Sequence, residues 1–439
     1  MASEWETVRL GDVADLLAGF PFSSERYTSD ENGPRLLRGD NIVQGSLRWD
    51  GVKRWPHNAT SALDAYWLRQ GDVVVAMDRP WIDAGLKHAS IRGNDLPALL
   101  VQRVARLRGT ARLDTAFLKY VTASRAFTEH VLAVQTGTAV PHISGDQIRS
   151  FRFALPPLAQ QRAIAHVLGT LDDKIDVNRR MSQTLEATTR ALFQSWFVDF
   201  DPVRIRSEGR DCGLPSHLAD LFPDSFEDSE AGEIPAGWGV GRLGNVVAQS
   251  REQENPLASP EVDFLHYSIP AFDDGQRPKR EFGRDIKSVK WRVPPGAVLV
   301  SKLNPAIERV WMTDVNPHER AVGSTEFLVL APRPPFGSGL VYCLARSPLF
   351  RRNIEGLATG TSGSHQRAQA GAILDLPVTM PPPALVTAFE RFASSLLMRA
   401  LLCRRQSDVL AALRDALLPR LLSGELRIPS SVSLAESVT

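Results

Sequence analysis

The sequence is poor in cysteine, has no excess of charge of either sign and contains no long apolar run. Its three cysteines, Cys212, Cys343 and Cys403, stand far apart without a C-x-x-C pair. This spacing excludes a cysteine zinc cluster and is typical of a reducing cytoplasm. Lys and Arg number 51 against 50 Asp and Glu, so overall basicity gives no argument for nucleic acid. No stretch approaches the roughly 18 apolar residues of a membrane-spanning helix, and we expect a soluble cytoplasmic protein.

The sequence also lacks the motifs of common catalytic and cofactor sites. It has no phosphate-binding P-loop, no H-E-x-x-H, no G-x-S-x-G, no [DNS]-P-P-[YF] signature of an amino-methyltransferase and no helicase acidic box. The one match to G-x-G-x-x-G, Gly239–Gly244, follows Pro235 without a preceding buried strand, so we expect no dinucleotide site there. A self-contained nuclease or methyltransferase is therefore disfavoured, and we predict no catalytic residue and no metal ligand.

What the sequence does contain is an internal repeat. At 439 residues it is long enough for about three compact units, and it aligns with itself. Trp5–Val13 matches Trp238–Val246 at a shift of 233 residues, and Gly71–Pro80 matches Gly296–Pro305 at a shift of 225. At a shift of 223, six residues recur, and each copy then closes on a Pro-Pro pair: Ser124, Phe127, Thr136, Gly137, Thr138 and His142 fall on Ser347, Phe350, Thr359, Gly360, Thr361 and His365, before Pro156-Pro157 and Pro381-Pro382.

After each Pro-Pro pair comes a long segment almost free of Gly and Pro, which predicts a helix of about 38 residues and about 57 Å. Steps of four and three residues trace the same heptad seam in both helices. The predicted seam comprises Ile164, Leu168, Leu171, Ile175, Asn178, Leu185 and Leu192 in the first helix and Phe389, Leu396, Cys403, Leu410 and Leu417 in the second. Each helix could instead cover its own domain as an amphipathic helix, but helices this long outrun a domain of about 150 residues. Helix pairing is therefore favoured, with the polar pairs Asn178–Cys403 and Ser182–Ser407 as candidates for fixing its register.

Charge is unevenly distributed along the chain. Residues 1–156 have 19 basic and 17 acidic side chains, residues 238–382 have 17 and 14, and residues 157–237 have 8 and 14. The two globular copies are thus mildly basic. Most of the acid lies between Asp199 and Glu233, which predicts a solvated connector.

Several segments resemble the specificity subunit of type I restriction–modification systems, and the resemblance covers essentially the whole chain. The most specific part is Leu155–Ile164, Leu171–Ile175, Asn178 and Ala191–Phe200, which is similar to that family's central conserved region. Two shorter stretches, Gly137–Ile143 and Leu421–Glu425, are also similar to family motifs, whereas Pro383–Thr387 departs from the usual P-x-x-E-Q-x-x-I helix start.

The resemblance implies an α+β fold with two pseudo-twofold-related globular α/β target recognition domains separated by a long antiparallel two-helix coiled coil. The implied division is a first recognition domain (1–156), a central conserved helix (157–200), an acidic linker (201–237), a second recognition domain (238–382), a distal conserved helix (383–425) and a C-terminal tail (426–439).

The resemblance also implies a non-catalytic DNA reader. Each recognition domain would read one half of a bipartite site in double-stranded DNA, and the coiled coil would set the gap between the halves. The chain would hold two modification (methyltransferase) subunits and, through them, restriction subunits. S-adenosylmethionine, ATP and Mg would be bound by those partners, and this chain would bind no cofactor and no membrane.

Residues that contact DNA are sought on loops, because base edges are read by Arg, Lys, Asn and Gln while phosphate contacts only position the protein. The first choice is the loop after each GDVVVAM or GAVLVSK strand. The second is the Gly-Thr-x-x-x-His loop of each copy, and the third comprises the LLRGDNI and QRPKRE runs. In that order the predicted DNA-binding residues are Arg79, Trp81, Lys302 and Asn304; Thr138, His142, Thr361, Ser364 and His365; and Arg38, Asn41, Lys279 and Arg280.

Without the family resemblance, a second function class competes with DNA reading. Two lobes on a coiled-coil spacer are equally typical of a protein-binding scaffold, and the mild basicity of the lobes does not separate the two. For each predicted DNA contact the alternative is a solvated surface residue or a turn former.

Overall fold

A computed structural model describes residues 5–82, 85–137, 140–230, 232–359 and 366–429. The chain forms two compact units: unit 1 comprises residues 1–176 and 407–439, and unit 2 comprises residues 177–406. Two long helices cross this division, so each contributes one segment to either unit.

Unit 1 begins with a mixture of short strands and helices. Its strands are β1 (Glu6–Arg9), β2 (Ala14–Ala18), β3 (Arg35–Leu37), β4 (Ile42–Val43), β5 (Ser46–Leu47), β6 (Val73–Ala76), β7 (Trp81–Ile82), β8 (Gly85–Leu86), β9 (His88–Ser90), β10 (Ala98–Leu100), β11 (Val104–Gly109) and β12 (Arg152–Leu155). Its helices are α1 (Leu10–Val13), α2 (Thr115–Ala123), α3 (Arg125–Val134), α4 (Gly145–Arg149) and residues 158–176 of α5 (Leu158–Phe197), joined by residues 407–422 of the second long helix.

Within the described residues, unit 1 is built on an antiparallel sheet of order β2-β11-β6-β9, the central sheet of this unit. All four residues of β6, three valines and one alanine, are buried, which suits a strand covered on both faces. Helix α2 covers this sheet with Phe117 and Leu118, and Asp114 caps it by accepting hydrogen bonds from the backbone of its first turn. Strands β1 and β12 pair antiparallel, and β3 and β10 pair parallel.

Unit 2 continues the chain with the remaining elements. Its strands are β13 (Phe226–Ser229), β14 (Gly232–Pro235), β15 (Gly239–Arg242), β16 (Val247–Ser250), β17 (Gln253–Glu254), β18 (Asp263–Tyr267), β19 (Lys279–Phe282), β20 (Lys290–Arg292), β21 (Val298–Ser301), β22 (Val310–Met312), β23 (Ala321–Gly323), β24 (Phe327–Pro332), β25 (Ala358–Thr359), β26 (Arg367–Ala368) and β27 (Pro377–Met380). Its helices are residues 177–197 of α5, α6 (Asp201–Ser207), α7 (Ser216–Ala219), α8 (Leu243–Val246), α9 (Ile269–Asp273), α10 (Ser338–Ala345), α11 (Pro348–Gly356), α12 (Ala370–Leu374) and residues 383–406 of α13 (Pro383–Leu422).

Unit 2 repeats the topology of unit 1. Its central sheet has the order β16-β24-β21-β22, the same as β2-β11-β6-β9, and β15 pairs with β27 as β1 pairs with β12. Strands β18 and β23 pair parallel, as β3 and β10 do. The fold is therefore α+β, as the family resemblance implies, and it contains two copies of one topology, as the self-alignment of the sequence predicts.

The segment 201–237 differs from the solvated connector that its charge predicts. It folds into α6, α7 and the β13–β14 hairpin, and Val203, Phe222 and Ile234 are buried in the core of unit 2. The prediction from net charge was wrong because net charge is an average over the segment. The acidic side chains lie at the surface, while apolar side chains between them are buried in the core.

Candidate nucleic-acid interface

The loop after β6, residues 78–81, is held in an unusual conformation; we call it the proline loop of unit 1. Arg79 has a φ of 44°, in the left-handed region that is unfavourable for side chains other than Gly, Asn and Asp. Its backbone N–H donates to the carbonyl of Pro141 at 2.7 Å. Arg79 is exposed and Trp81 is 43% exposed. The loop therefore presents a cation and an aromatic ring to solvent from a fixed backbone.

The second predicted loop of unit 1, residues 136–142, lies beside the proline loop. Thr136 and His142 exchange two backbone hydrogen bonds of 2.9 and 2.8 Å, and Nε2 of His142 lies 3.1 Å from the Thr136 hydroxyl. Asp78 forms a β-bridge to His142. The first and second choices in this copy are thus one surface, and His142 is exposed within it. Thr138 lies outside the described residues.

Unit 2 has the same loop at the same place. Residues 302–305, the proline loop of unit 2, follow β21, and Asn304 has a φ of 49°. Asn304 matches Arg79 in the 225-residue repeat, so the left-handed residue before the proline is common to both copies. Its backbone N–H donates to the carbonyl of Gln366 at 2.8 Å, and Ala368 N–H donates to Lys302 at 3.1 Å. Thr361, Ser364 and His365 lie outside the described residues.

The charges around the proline loop of unit 2 include one cation that the sequence analysis missed. Lys302 is half-buried, and burial lowers the pKa of its ammonium group although Glu326 opposes the shift. Arg367 pairs with Glu326 at 2.8 Å and remains about half exposed. Its signal in the sequence was only its position a few residues after the Gly-Thr motif.

Of the third-choice residues, the two in unit 1 play different parts. Arg38 is 42% exposed and pairs with Asp40 at 3.2 Å. Asn41 is 8% exposed: its side-chain oxygen accepts from the Arg38 backbone N–H, and its side-chain nitrogen donates to the Arg48 carbonyl, both at 3.0 Å. Both ends of the Asn41 amide are thus used to hold a turn, which is at odds with the DNA contact predicted for it.

Lys279 and Arg280 lie apart from the proline loop, on a second sheet of unit 2. This outer sheet has the order β17-β20-β23-β18-β19 within the described residues. Lys279 is exposed. Arg280 pairs with Asp263 at 3.0 Å and with Glu319, and hydrogen bonds to these carboxylates raise the pKa of its guanidinium. The charge of Arg280 is therefore already matched within the protein.

The two long helices run antiparallel within each unit. In unit 2, Asn178 donates to Gln406 at 3.4 Å, while Phe193 packs on Phe389 with ring centroids 6.0 Å apart. A later residue of α5 therefore contacts an earlier residue of α13, so the two helices run in opposite directions. In unit 1, Arg414 donates to Asp172 at 2.9 Å, and residues near the start of α5 share a core with Leu421 near the end of α13.

The predicted seam lies on the inner faces of these helices. Buried seam residues are Ile164, Leu168, Ile175, Asn178, Phe389 and Cys403, and half-buried ones are Leu171, Leu185, Leu192, Leu396, Leu410 and Leu417. The polar positions are used across the helix pair, since the Ser182 hydroxyl accepts from Arg404 at 3.2 Å and Asn178 bonds to Gln406.

In unit 1, one carboxylate of α5 contacts both α13 and the lobe. Asp172 of α5 accepts hydrogen bonds from Tyr120 at 2.9 Å, Lys119 at 2.5 Å and Arg414 at 2.9 Å. Burial alone would raise the pKa of Asp172, but the Lys119 charge and these hydrogen bonds outweigh burial and lower it. One ionised side chain therefore ties α5, α13 and α2 together; we call it the junction of unit 1.

Unit 2 has an equivalent junction at Glu186. This residue is 7% exposed and accepts from Tyr342 at 3.2 Å, from Arg346 at 3.4 Å and from Arg404. Burial and the nearby Glu186 carboxylate raise the pKa of Tyr342 to about 12. Each unit thus joins a carboxylate of α5, an arginine of α13 and a tyrosine of the lobe.

The described residues contain neither a group of three His, Cys, Asp or Glu arranged for a metal ion nor a helix long and apolar enough to span a bilayer.

Comparison with known proteins finds similarity to specificity subunits of type I restriction enzymes. Residues 2–187 match the family model of the type I restriction modification DNA specificity domain. The specificity subunit of the type I restriction enzyme EcoAI from Escherichia coli is 35% identical over 183 residues, which are 42% of this chain and 30% of that protein. This match therefore spans less than a third of that relative's length.

Two further similarities extend over nearly the whole chain. The specificity subunit of the type I restriction enzyme HindI from Haemophilus influenzae is 22% identical over 97% of this chain and 100% of its own. A crystal structure of the S subunit of a type I restriction–modification system from M. genitalium has a TM-score of 0.58 at 14% identity, covering 95% of this chain and 96% of that chain. The shared fold thus includes both units.

Proposed function

We propose that the chain is the DNA reader of a type I restriction–modification system, because residues 2–187 match the DNA specificity domain of such systems and nearly the whole chain is similar to their specificity subunits. Each unit reads one half of a bipartite site, and the helix pair sets the number of base pairs between the halves. The observation that carries the proposal is the recurrence of one loop, with one left-handed residue, at the same place in both copies.

Loops of this kind suit half-site reading. Base edges are contacted by side chains held at fixed positions. The backbone hydrogen bonds to Pro141 and Gln366 hold the two proline loops in place. The side chains differ between the copies, with the exposed Arg79 and Trp81 in one and the half-buried Lys302 and Asn304 in the other. A common backbone with different side chains is what two unlike half-sites require.

The helix pair suits the role of a spacer. Each helix has 40 residues, about 60 Å at 1.5 Å per residue. Polar contacts across the pair, such as Asn178 with Gln406, penalise a shift of one helix along the other. Because the register between α5 and α13 is fixed, the length of the helix pair is fixed. A helix pair of fixed length sets a constant gap between the two half-sites in the DNA.

The chemistry belongs to partners in this proposal. Two modification subunits bind the chain and methylate an adenine in each half-site with S-adenosylmethionine, and restriction subunits that use ATP and Mg join through them. The chain itself is non-catalytic and works in the cytoplasm.

Sequencing of adenine methylation in single DNA molecules tests the reading function. Cells that express the chain with its modification subunit are compared with cells that lack only the chain. We expect a bipartite motif with one methylated adenine per strand and a constant gap. The absence of any difference, with soluble and co-purifying subunits, would contradict the proposal and favour a protein-binding scaffold.

Shortening both helices tests the spacer. Removal of residues 176–182 and 405–411 deletes one heptad from each helix and leaves Asp172, Arg414, Glu186 and Arg404 in place. Seven residues are about 10 Å of helix, so we expect a gap shorter by about three base pairs. An unchanged gap in a folded, active complex would refute the spacer role.

A further inference from the structure

Both units bury one cation at the same place in the central sheet. Lys87 immediately precedes β9, and Arg309 immediately precedes β22, the matching strand of the other unit. The carbonyl of Lys87 accepts from Ala76 at the end of β6, and the carbonyl of Arg309 accepts from Ser301 at the end of β21, each at 3.0 Å. The two cations therefore occupy equivalent positions.

The burial of both cations is unusual for their residue types. Lys87 is 8% exposed and Arg309 is 9% exposed, although Lys and Arg are almost never fully buried without a partner. The residues themselves differ, so what the two units share is a buried positive charge.

Each buried cation is hydrogen-bonded through its backbone either to the proline loop of its unit or to the strand residue just before that loop. The Lys87 N–H donates to the carbonyl of Pro80 at 2.7 Å. Ser301, which bonds to the Arg309 carbonyl, is the residue immediately before Lys302.

The side chain of each cation extends to a different segment, the turn after the parallel strand. In unit 1 this turn is residues 39–41, after β3: a Cβ built on Gly39 would lie 3.8 Å from Nζ of Lys87. In unit 2 it is α9, after β18: Asp273, the last residue of α9, receives two hydrogen bonds of 2.7 and 2.9 Å from Arg309. The backbone of each cation thus lies at or beside the proline loop, and its side chain lies near the segment that follows the parallel strand.

Charge on these turns supports the same arrangement in unit 1. Burial lowers the pKa of Lys87, whereas Asp40 of the turn and Asp78 of the proline loop favour its charged form. Arg79 and Arg48 oppose that effect. A carboxylate of the turn and a carboxylate of the loop therefore both favour a charged Lys87.

We propose that Lys87 and Arg309 are equivalent positioning residues, each of which fixes the proline loop of its unit against the turn after the parallel strand and thereby determines recognition of one half-site. The inference rests on the proposed function. It adds that the spatial relation between the two segments is set by a buried charge common to both units, while the exposed side chains select the bases.

The test uses the full chain assembled with its modification subunits. Variants Lys87→Met and Arg309→Met remove each charge at similar side-chain length, and Lys87→Arg retains it. Asp273→Asn weakens the partner of Arg309 at a site whose side chain is 47% exposed, so it serves if Arg309→Met fails to fold. Controls are Arg125→Met, at a side chain that is 91% exposed, and Arg352→Met, also at an exposed residue.

The readout is methylation of two DNA libraries, each with one half-site randomised and the other fixed. We expect Lys87→Met to lower selectivity about tenfold in one half-site alone, and Arg309→Met to do so in the other alone, because small displacements of contacting groups have effects of this size or larger. Lys87→Arg should keep the selectivity of the wild-type chain. Asp273→Asn should lower selectivity in the same half-site as Arg309→Met.

Equal loss in both half-sites would overturn the inference, since it would indicate a general folding defect. Unchanged selectivity in the folded variants would overturn it as well. The wild-type arm keeps the two proposals separable, because a wild-type complex without a bipartite preference refutes the proposed function itself.

Discussion

The two units share their central sheet and differ in the strands around it. Both have the same four-strand order, a left-handed residue in the proline loop and a buried cation beside it. Within the described residues, the parallel pair β3–β10 forms a two-stranded sheet in unit 1, whereas its counterpart β18–β23 lies within the five-stranded outer sheet of unit 2. The duplicated chain has thus kept the elements that hold the proline loops and varied those around them.

The junctions show the same division between a common role and different residues. Asp172 and Glu186 both bring together α5, α13 and a lobe tyrosine. They are not repeat partners, because both lie on α5, fourteen residues apart. The antiparallel pairing explains this, since the lobe of unit 1 meets the early part of α5 and the lobe of unit 2 meets its late part.

The largest expected effect compares one heptad position in the two units. Phe389 and Ile164 match at a shift of 225 residues and are 0% and 1% exposed. We expect Phe389→Ala to lower the free energy of unfolding by about 4 kcal/mol and Ile164→Ala by about 3 kcal/mol, because each leaves a cavity. Urea unfolding, with hydrogen exchange to locate the change, measures both.

The control for Phe389→Ala is Phe392→Ala, at a position that is 43% exposed, where we expect a loss below about 1 kcal/mol. Equal losses for Phe389→Ala and Phe392→Ala would mean that the helix pair of unit 2 does not depend on its aromatic seam.

The next effect breaks one junction and leaves the other intact. Asp172→Asn removes the charge that Lys119 and Arg414 pair with, and we expect a loss of about 3 kcal/mol because two cations lose a partner whose side chain is only 13% exposed. Asp173→Asn, at the exposed neighbour, is the matched control and should change stability by less than about 0.5 kcal/mol. Hydrogen exchange should increase in unit 1 peptides; an increase confined to unit 2 would contradict the assignment of this junction.

The same junction predicts a dependence on pH. The pKa of Asp172 is lowered in the folded protein, so the folded state holds this proton less readily than the unfolded state, and the junction stabilises the fold above about pH 4. The stability difference between wild type and Asp172→Asn should therefore shrink as the pH falls from about 6 to about 3. Unfolding at a series of pH values measures this difference, and a constant difference would be inconsistent with an ionised Asp172.

The smallest effect concerns the left-handed residues. Arg79→Gly removes a side chain from a φ of 44° and should stabilise unit 1 by up to about 1 kcal/mol. Asn304→Gly should be near neutral, because Asn already tolerates this conformation. Thermal unfolding of both variants makes the comparison, and equal shifts would show that the Arg79 backbone is not strained relative to Asn304.

The internal repeat and the heptad pattern of the sequence predicted much of this fold. Repeat alignment indicated two copies of one topology, and the heptad seam placed Leu168 and Phe389 on inner helix faces. The helices themselves run from 158 to 197 and from 383 to 422, against predicted segments of 157–200 and 383–425.

What sequence reasoning missed depends on contacts between distant residues. Asp172 and Arg414 are 242 residues apart, and in a single sequence each resembles a solvated charge on a helix. Lys87 and Arg309 differ in type and follow loops of different length, so the repeat did not reveal them. Asn41 was chosen as an exposed polar residue, but its burial depends on hydrogen bonds to Arg38 and Arg48.

The measurement that tests the account most directly is the methylation motif of two lobe-specific variants. Arg79→Ala combined with Trp81→Ala alters the proline loop of unit 1, and Lys302→Ala alters that of unit 2, each in a complex with unchanged thermal stability. The account predicts that each variant relaxes base preference in one half of the motif, a different half for each, with the gap unchanged. Relaxation of both halves by either variant, or of the same half by both, would contradict the assignment of one half-site to each unit.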